Sequence, residues 1–314
     1  MVRARWTATS GWEAPQIIPH GPLVLKPSAS VLHYATSCFE GMKACRAYDG
    51  KLRLFRPQHN CARMLASAVR ISLPGFEPEQ LLQLIRSLCA LDGTRWLPRD
   101  HAGSSLYIRP TLIGVDKSLG FQAPQEAILF IMISYWPSPK LPTISTLSAG
   151  QGMRLLTSET DIVRAWPGGS GSAKVAANYG PTILAQSQAK KGCDQVTEAG
   201  PPNFFVIWRT TGGILEMVTP HLDEHTILPG VTRQSVDSVQ RKGAEPVETL
   251  ECNFTIHEIA ATADQNRLLA SFAVGTAAFV VPVGRIQFRK RELIIGSTTC
   301  PYVSLLQKWL VDIT

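Results

Sequence analysis

The chain is predicted to be a mixed α/β protein of two domains, and three observations carry that reading. Short β-rich runs and amphipathic helical stretches alternate in both halves of the 314 residues, 45% of residues are apolar, and Trp136–Gly152 is rich in Pro, Ser and Gly with little periodicity. Such a composition connects compact units, and the apolar share suffices for a core on each side of it. The boundaries are a small α/β domain over 1–136, a connection over 137–152 and a larger domain over 153–314.

The elements follow in order. Met1–Trp12 is expected as an edge strand, and Leu23–Leu25, Val31–Tyr34 and Ala44–Tyr48 as short β-type runs. Asp49–Gly50 between apolar runs signals a hairpin into Lys51–Phe55. Asn60 is expected to cap a helix whose apolar positions Met64, Leu65, Ala68 and Val69 recur at helical spacing, and Glu77–Ala90 is a second helix with a leucine-rich stripe. Ser105–Leu112 and Ala127–Ser134 are buried strands. Beyond the connection come a strand over Met153–Thr157, a helix over Tyr179–Lys190 and a hairpin joining Phe204–Trp208 to Ile214–Val218. A helix begins near Thr232, others span His257–Ala263 and Tyr302–Val311, and Ala270–Val283 turns around Gly275–Ala277.

Composition narrows the function. The net charge is +7, but Lys and Arg form no long block, and the basic run Arg285–Arg291 reads as a solvated hairpin. A basic site for anionic substrates accounts for the surplus without nucleic acid. Seven cysteines are scattered without a C-x-x-C pair and seven histidines lack ligand spacing, which excludes a zinc motif and favours free thiols in a reducing compartment. No metal is expected. No apolar run reaches membrane-spanning length, and Met1–Trp12 has no signal core. Arg3 and Arg5 without neighbouring acids leave a transit peptide as the alternative, so the cytoplasm is expected, with the mitochondrion second.

Chemistry concentrates at Gly168–Gly180, where Lys174 stands among residues with almost no side chain. Small neighbours allow a flat ligand to lie against the main chain, and an enclosed lysine loses its proton readily, which suits condensation with an aldehyde. A Gly-Ser linker with a solvated lysine is the plain alternative. A phosphate loop is excluded, because Ala173 and Val175 flank the lysine where that motif needs Gly and Ser or Thr. The Gly230–Val231–Thr232 turn before a helix and the Gly275–Thr276–Ala277–Ala278 turn both offer N–H groups to an anion, though ordinary turns share their composition. Arg63 and Arg109 add guanidinium forks suited to phosphate or carboxylate, or to surface ion pairs.

Seven blocks, in order and over nearly the whole chain, resemble the branched-chain amino acid aminotransferases of the fold-type-IV pyridoxal-phosphate enzymes, in the flavour of the fungal and animal members. They are LHYATSCFEGMKA (32–44), LFRPQHNCARM (54–64), SLYIRPTLIG (105–114), RAWPGGSGSAKVAANYG (164–180), TEAG (197–200), ILPGVTRQS (227–235) and GTAAFVVPV (275–283). The resemblance implies two domains with pyridoxal 5'-phosphate in the cleft between them, and transamination of Leu, Ile or Val with 2-oxoglutarate or glutamate by a ping-pong mechanism.

Residue by residue, the resemblance makes Lys174 the Schiff-base and proton-transfer lysine of the larger domain. Tyr179 falls at the cofactor phenolate, Glu198 at the ring nitrogen, and Arg63, Val231, Thr232 and Thr276 at the phosphate. Tyr34, Phe39, Tyr107 and Arg109 form the substrate pocket, with the Ala277–Ala278 backbone toward the α-carboxylate. Tyr34 and a loop over 114–124 reach the neighbouring subunit in the family, which implies a homodimer. One departure is marked: the chain passes directly from Gln195–Val196 to Thr197–Glu198, where relatives insert an apolar strand and turn. A member that holds cofactor without turnover, or a related enzyme such as an aminodeoxychorismate lyase or D-amino acid transaminase, is the alternative.

Overall fold

The computed structural model describes residues 1–101, 103–136, 151–158, 162–183, 187, 195–196, 202–237, 246–277, 279–295 and 301–312. They form two compact units. The first holds the residues up to Trp136 together with Ser172–Asn178, and the second holds the rest. The segment bearing Lys174 therefore packs with the first unit, although the sequence reading set it in the larger C-terminal domain.

The first unit is built on one sheet in the order β2 (Gly11–Trp12), β1 (Val2–Thr7), β8 (Glu126–Trp136), β7 (Ser105–Gly114), β5 (Met42–Arg46), β6 (Leu52–Leu54). Two short strands lie off this path, β3 (Gln16–Ile17) against β1 and β4 (Ser37–Phe39) against β7. All pairings are antiparallel. Three helices accompany the sheet: α1 (Ser30–Tyr34), α2 (Pro57–Arg70) and α3 (Pro78–Trp96).

Pro57 and Pro78 stand in the first turns of α2 and α3, where a missing N–H costs nothing. On α2 the positions Asn60, Cys61, Met64, Ser67 and Ala68 are buried, the i, i+3, i+4, i+7 spacing of one helix face. That face joins a core with Leu82, Ile85, Leu106, Ile108 and Ile131, each fully buried. Burial on this scale is worth roughly 1.5–3 kcal/mol per large aliphatic side chain.

Four expectations are corrected in this unit. Strand β1 is not an edge, because β8 pairs along one side of it and β2 and β3 cover the other. Residues 23–25 form no strand; Leu25 packs instead on Ile113, Val115 and Ile128. Residues 31–34 are helical despite their β-branched and aromatic composition, since the short helix α1 ends in Ala35 with φ +51°. Asn60 is no cap: α2 begins at Pro57, behind Arg56 in the left-handed region.

The second unit carries the order β10 (Gln195–Val196), β9 (Met153–Leu156), β15 (Phe279–Phe288), β14 (Leu268–Gly275), β11 (Asn203–Arg209), β12 (Leu215–Thr219), β13 (Glu248–Glu251), with β16 (Arg291–Ile294) beside β15. Parallel pairs β10/β9, β9/β15 and β12/β13 mix with antiparallel ones. The expected hairpin over 204–218 and the basic hairpin at 285–291 both form. Helices α4 (Val231–Asp237), α5 (Ile256–Asp264) and α6 (Pro301–Asp312) complete the unit. Thr255 and Glu258 close a reciprocal capping box on α5. Of the helix expected at 179–190, residues 179–181 form a turn instead, residues 182, 183 and 187 are helical, and positions 184–186 and 188–190 lie outside the described residues. Two mixed units of strands and helices are the α/β class that the sequence predicts.

Candidate active site

Three contacts fix the lysine segment on the first unit, and a fourth braces it internally. The Lys174 N–H donates to Ser67 Oγ (2.8 Å), and the Phe39 N–H donates to the Lys174 carbonyl (3.1 Å). Cys38 and Val175 form an antiparallel bridge, and Asn178 Nδ2 donates to the Ala173 carbonyl (2.8 Å). Ser67, fully buried, in turn donates to Arg63 O (2.9 Å), so one hydroxyl ties the lysine backbone to α2. Ala173 and Val175 sink into the core on either side of the lysine.

The side chain of Lys174 is buried as well, at 6% exposure. Its Nζ lies 5.1 Å from the centroid of the Phe39 ring. Burial lowers its pKa from 10.5 to about 8; the Glu40 carboxylate and Tyr107 oppose the shift, and Arg63 and Arg109 add to it. At pH 7 roughly a tenth of such an amine is neutral, far more than for a solvated lysine.

Around it stand two arginines carried by different elements. Arg63, on the inward face of α2, makes a buried ion pair with Glu40 at 2.7 Å. Arg109, on β7, has its guanidinium carbon 4.6 Å from the Phe39 ring centroid and 5.1 Å from that of Tyr107. Its NH2 donates to the Tyr107 hydroxyl (3.1 Å), and its buried Nε has no hydrogen-bond partner among the described residues. Gly41 makes room for this arrangement, since a Cβ there would fall 1.9 Å from the Tyr107 oxygen. The structure thus brings Lys174, Arg63, Phe39, Tyr107 and Arg109 together.

Tyr34 turns elsewhere on the same unit. Its hydroxyl donates to Leu119 O (2.6 Å) and its ring meets Phe121 edge-on at 5.5 Å, so it seats the 114–124 loop.

In the second unit, Val231 and Thr232 are buried at the start of α4, and Thr276 and Ala277 form the turn between β14 and β15. Asn203 gathers the two. It pairs with Val274 just before the second turn, and its side-chain amide donates to Leu228 O (2.9 Å) at the start of the first. Gly230 is required there, because a Cβ would meet Asn203 Oδ1 at 2.0 Å. Tyr179 is half-buried and its carbonyl accepts from the Thr182 hydroxyl (2.7 Å). Glu198 and Ala278 lie outside the described residues.

The glycine-rich run also has a plainer task than expected. Gly171 packs on main chain, with a Cβ there 2.5 Å from Thr226 O, and Arg164 ties Thr226 O to Gly171 O. Sequence reasoning missed Glu40, Ser67, Asn178 and Asn203, whose roles are hydrogen bonds to main chain or to a distant arginine. The motif blocks contain Glu40 and Asn178, and no local sequence signal marks Ser67 or Asn203.

A buried amine, clustered guanidinium groups and an aromatic wall form a site for an anionic, carbonyl-bearing ligand. Comparison with known proteins agrees, since residues 37–286 match the family described as amino-transferase class IV. The chain belongs to the class IV aminotransferase family. Similar curated proteins include the branched-chain-amino-acid aminotransferase of Dictyostelium discoideum, 42% identical over 92% of this chain and 76% of that protein. The mitochondrial enzyme of Schizosaccharomyces pombe is 41% identical over 100% of this chain and 75% of its own length. Among solved structures, the branched-chain amino acid aminotransferase from Escherichia coli superposes with a TM-score of 0.73 at 21% identity, covering 100% of this chain and 94% of that one. The branched-chain aminotransferase from Thermoproteus uzoniensis, solved with norvaline, gives 0.68 at 24% identity, over 99% and 96%.

Class IV aminotransferases use pyridoxal phosphate, and the residues of this aminotransferase fit it. Lys174 offers a desolvated amine, Arg63 a guanidinium close by, and the unpartnered Arg109 Nε a donor beside the aromatic wall.

Proposed function

We propose that this aminotransferase moves the amino group of leucine, isoleucine or valine to 2-oxoglutarate, and back from glutamate, in a two-step ping-pong cycle. The observation that carries the substrate choice is Arg109, laid between the Phe39 and Tyr107 rings beside Lys174. Aromatic faces accept an aliphatic side chain, while the guanidinium accepts the side-chain carboxylate of glutamate, so both partners use one pocket. The branched-chain relatives at 41–42% identity support the same substrate class.

When bound, pyridoxal phosphate supplies the aldehyde that takes the amino group and the ring that withdraws electrons from the substrate Cα. The protein residues do the rest. Lys174, whose burial leaves part of it neutral near pH 7, holds the aldehyde end at rest and then carries the proton to and from the Cα position. Arg63 anchors the phosphate, with Val231, Thr232 and Thr276 as its further contacts, Tyr179 at the phenolate and Glu198 at the ring nitrogen. The Ala277–Ala278 backbone receives the substrate α-carboxylate.

The functional particle is read as a homodimer. On the first unit Leu32, Leu119 and Phe121 are 59%, 60% and 89% exposed around Tyr34, an apolar surface of the kind a partner subunit covers. No helix among the described residues is long and apolar enough to cross a membrane. Similar proteins carry both mitochondrial and cytosolic names, and the cytosol is preferred for this chain, with the mitochondrion as the alternative.

An absorption spectrum of the purified chain with pyridoxal phosphate, before and after leucine, tests the reading. A visible band that Lys174→Ala lacks, and that leucine converts to the aminated form, is the expected result. A lysine-dependent band that no branched-chain amino acid alters would refute the substrate assignment. Absence of any band would refute the site.

A further inference from the structure

Glu40 stands at the site although the resemblance gives it no role. It is fully buried, and both of its oxygens are occupied. Oε1 accepts from Arg63 Nε (2.7 Å), and Oε2 accepts from Arg63 NH2 (2.8 Å), Asn60 Nδ2 (2.9 Å) and the Gly41 N–H (3.2 Å). Burying a carboxylate is expensive and is tolerated only when paired this completely. Its partner, however, is not a neutral structural group but the guanidinium beside Lys174. A two-point fork fixes the plane of an arginine that would otherwise sample many rotamers. Asn60, one turn before Arg63 on α2, and Gly41 also donate to the carboxylate, at Oε2.

We propose that Glu40 is a positioning residue: it locks the Arg63 guanidinium in the orientation that receives the phosphate group and balances its charge next to Lys174. The inference rests on the reading of Arg63 and Lys174 as the groups that hold the cofactor. The charged and titratable groups facing the Lys174 amine are Glu40, Arg63, Tyr107 and Arg109. Removing Glu40 takes away the leading group that opposes loss of the proton and leaves Arg63 unbalanced. Both changes push the amine further toward the neutral form.

The experiment compares pyridoxal phosphate with pyridoxal, which lacks the phosphate, on the full chain freed of cofactor, in wild type, Glu40→Gln, Glu40→Asp, Arg63→Gln and the Glu40→Gln/Arg63→Gln double variant. Wild type is expected to prefer the phosphorylated aldehyde. Glu40→Gln is expected to lose roughly ten- to thirty-fold of that preference, the ordering entropy of one arginine side chain. Its affinity for pyridoxal is expected to change less than about two-fold, because that ligand makes no use of the fork. In the Arg63→Gln background the Glu40 change should add nothing.

The pH dependence of pyridoxal condensation, with an inflection near 8 in wild type, should move to lower pH in Glu40→Gln and return toward 8 in Glu40→Asp. Equal losses for both aldehydes with an unmoved inflection would mean a merely structural carboxylate and overturn the proposal. So would a Glu40→Gln effect that persists without Arg63. If wild type fails to prefer the phosphorylated aldehyde, the phosphate role of Arg63 falls first, and this inference with it. Should Glu40→Gln not fold, Glu40→Asp is read by the same criteria, with a partial loss of preference expected and none overturning.

Discussion

Phe39 and Lys174 are joined twice, by a main-chain hydrogen bond of 3.1 Å from the Phe39 N–H to the Lys174 carbonyl and by the Lys174 amine lying 5.1 Å from the Phe39 ring centroid. The same ring also carries the Arg109 guanidinium at 4.6 Å. One aromatic ring therefore contacts two cations of the pocket. Replacing Phe39 by Ala keeps the main-chain bond and removes both ring contacts. With cation–π contacts worth about 0.5–2 kcal/mol each, kcat/KM should fall roughly ten- to a hundred-fold for leucine and for glutamate alike. Steady-state kinetics on both donors checks this, and a loss confined to leucine would show that Arg109 does not depend on the ring.

Burial makes Lys174 a cost to the folded protein as well as an asset to catalysis. Its folded pKa of about 8 lies below the ordinary 10.5, so between these values the unfolded chain binds more protons and stability rises with pH. Below pH 8 the full penalty applies, up to roughly 3 kcal/mol for a shift of this size. Lys174→Met, similar in volume and uncharged, should therefore stabilise the cofactor-free protein at pH 7, with the advantage shrinking as pH approaches 10.5. Urea midpoints of both proteins at pH 7 and pH 10 decide the matter; an advantage that grows with pH would contradict the sign.

Ser67 links the lysine backbone to α2 by accepting from the Lys174 N–H and donating to Arg63 O. In Ser67→Ala a buried N–H loses its partner, which costs about 1–3 kcal/mol. A drop of several degrees in melting temperature is expected, together with a lower kcat as the amine loses its register. Substitution by Thr, which keeps the hydroxyl, should recover most of the activity. Equal damage from Ala and Thr would point to packing rather than to the hydrogen bond.

Local pattern reveals those features that local physics decides. Asp49–Gly50 announces its hairpin, the apolar positions of α2 and α3 recur at helical spacing, and small residues around Lys174 mark a main chain that is closely packed. Features decided by distant partners are not legible in the same way. Met1–Trp12 reads as an edge until residues 11–17 fold back to cover it. Residues 31–34 have strand-like composition, yet they sit in a helix behind buried Ser30, whose hydroxyl donates to Asp116 (2.9 Å) 86 positions away. Asn60 has the chemistry of a cap, but its amide serves Glu40. Glu40 itself is indistinguishable in sequence from a surface acid, because burial depends on what α2 and β7 bring against it.

Gly41 offers a test of how finely the pocket is set. It follows Glu40 and donates its N–H to that carboxylate, and a Cβ added to it would fall 1.9 Å from the Tyr107 oxygen. No atoms approach so closely, so in Gly41→Ala either Tyr107 or the main chain must yield. The tyrosine lies on β7, whose backbone is fixed by pairing with β5 and β8, so its side chain is the part free to move. Displacing it breaks the 3.1 Å bond from Arg109 and the ring contact with Trp136 at 5.1 Å. A charged-donor hydrogen bond of this kind is worth about 1.5–3 kcal/mol, so kcat/KM for glutamate should fall on the order of ten- to a hundred-fold. Binding of pyridoxal phosphate, which depends on Lys174 and Arg63, should change far less. Measuring cofactor affinity beside kinetics separates the two effects, and Tyr107→Phe, which removes only the hydroxyl, should reproduce the kinetic loss without the steric strain. If Gly41→Ala instead weakened cofactor binding as much as turnover, the strain would have passed to Glu40 through the shared main chain, and Tyr107 would not be the residue that moves.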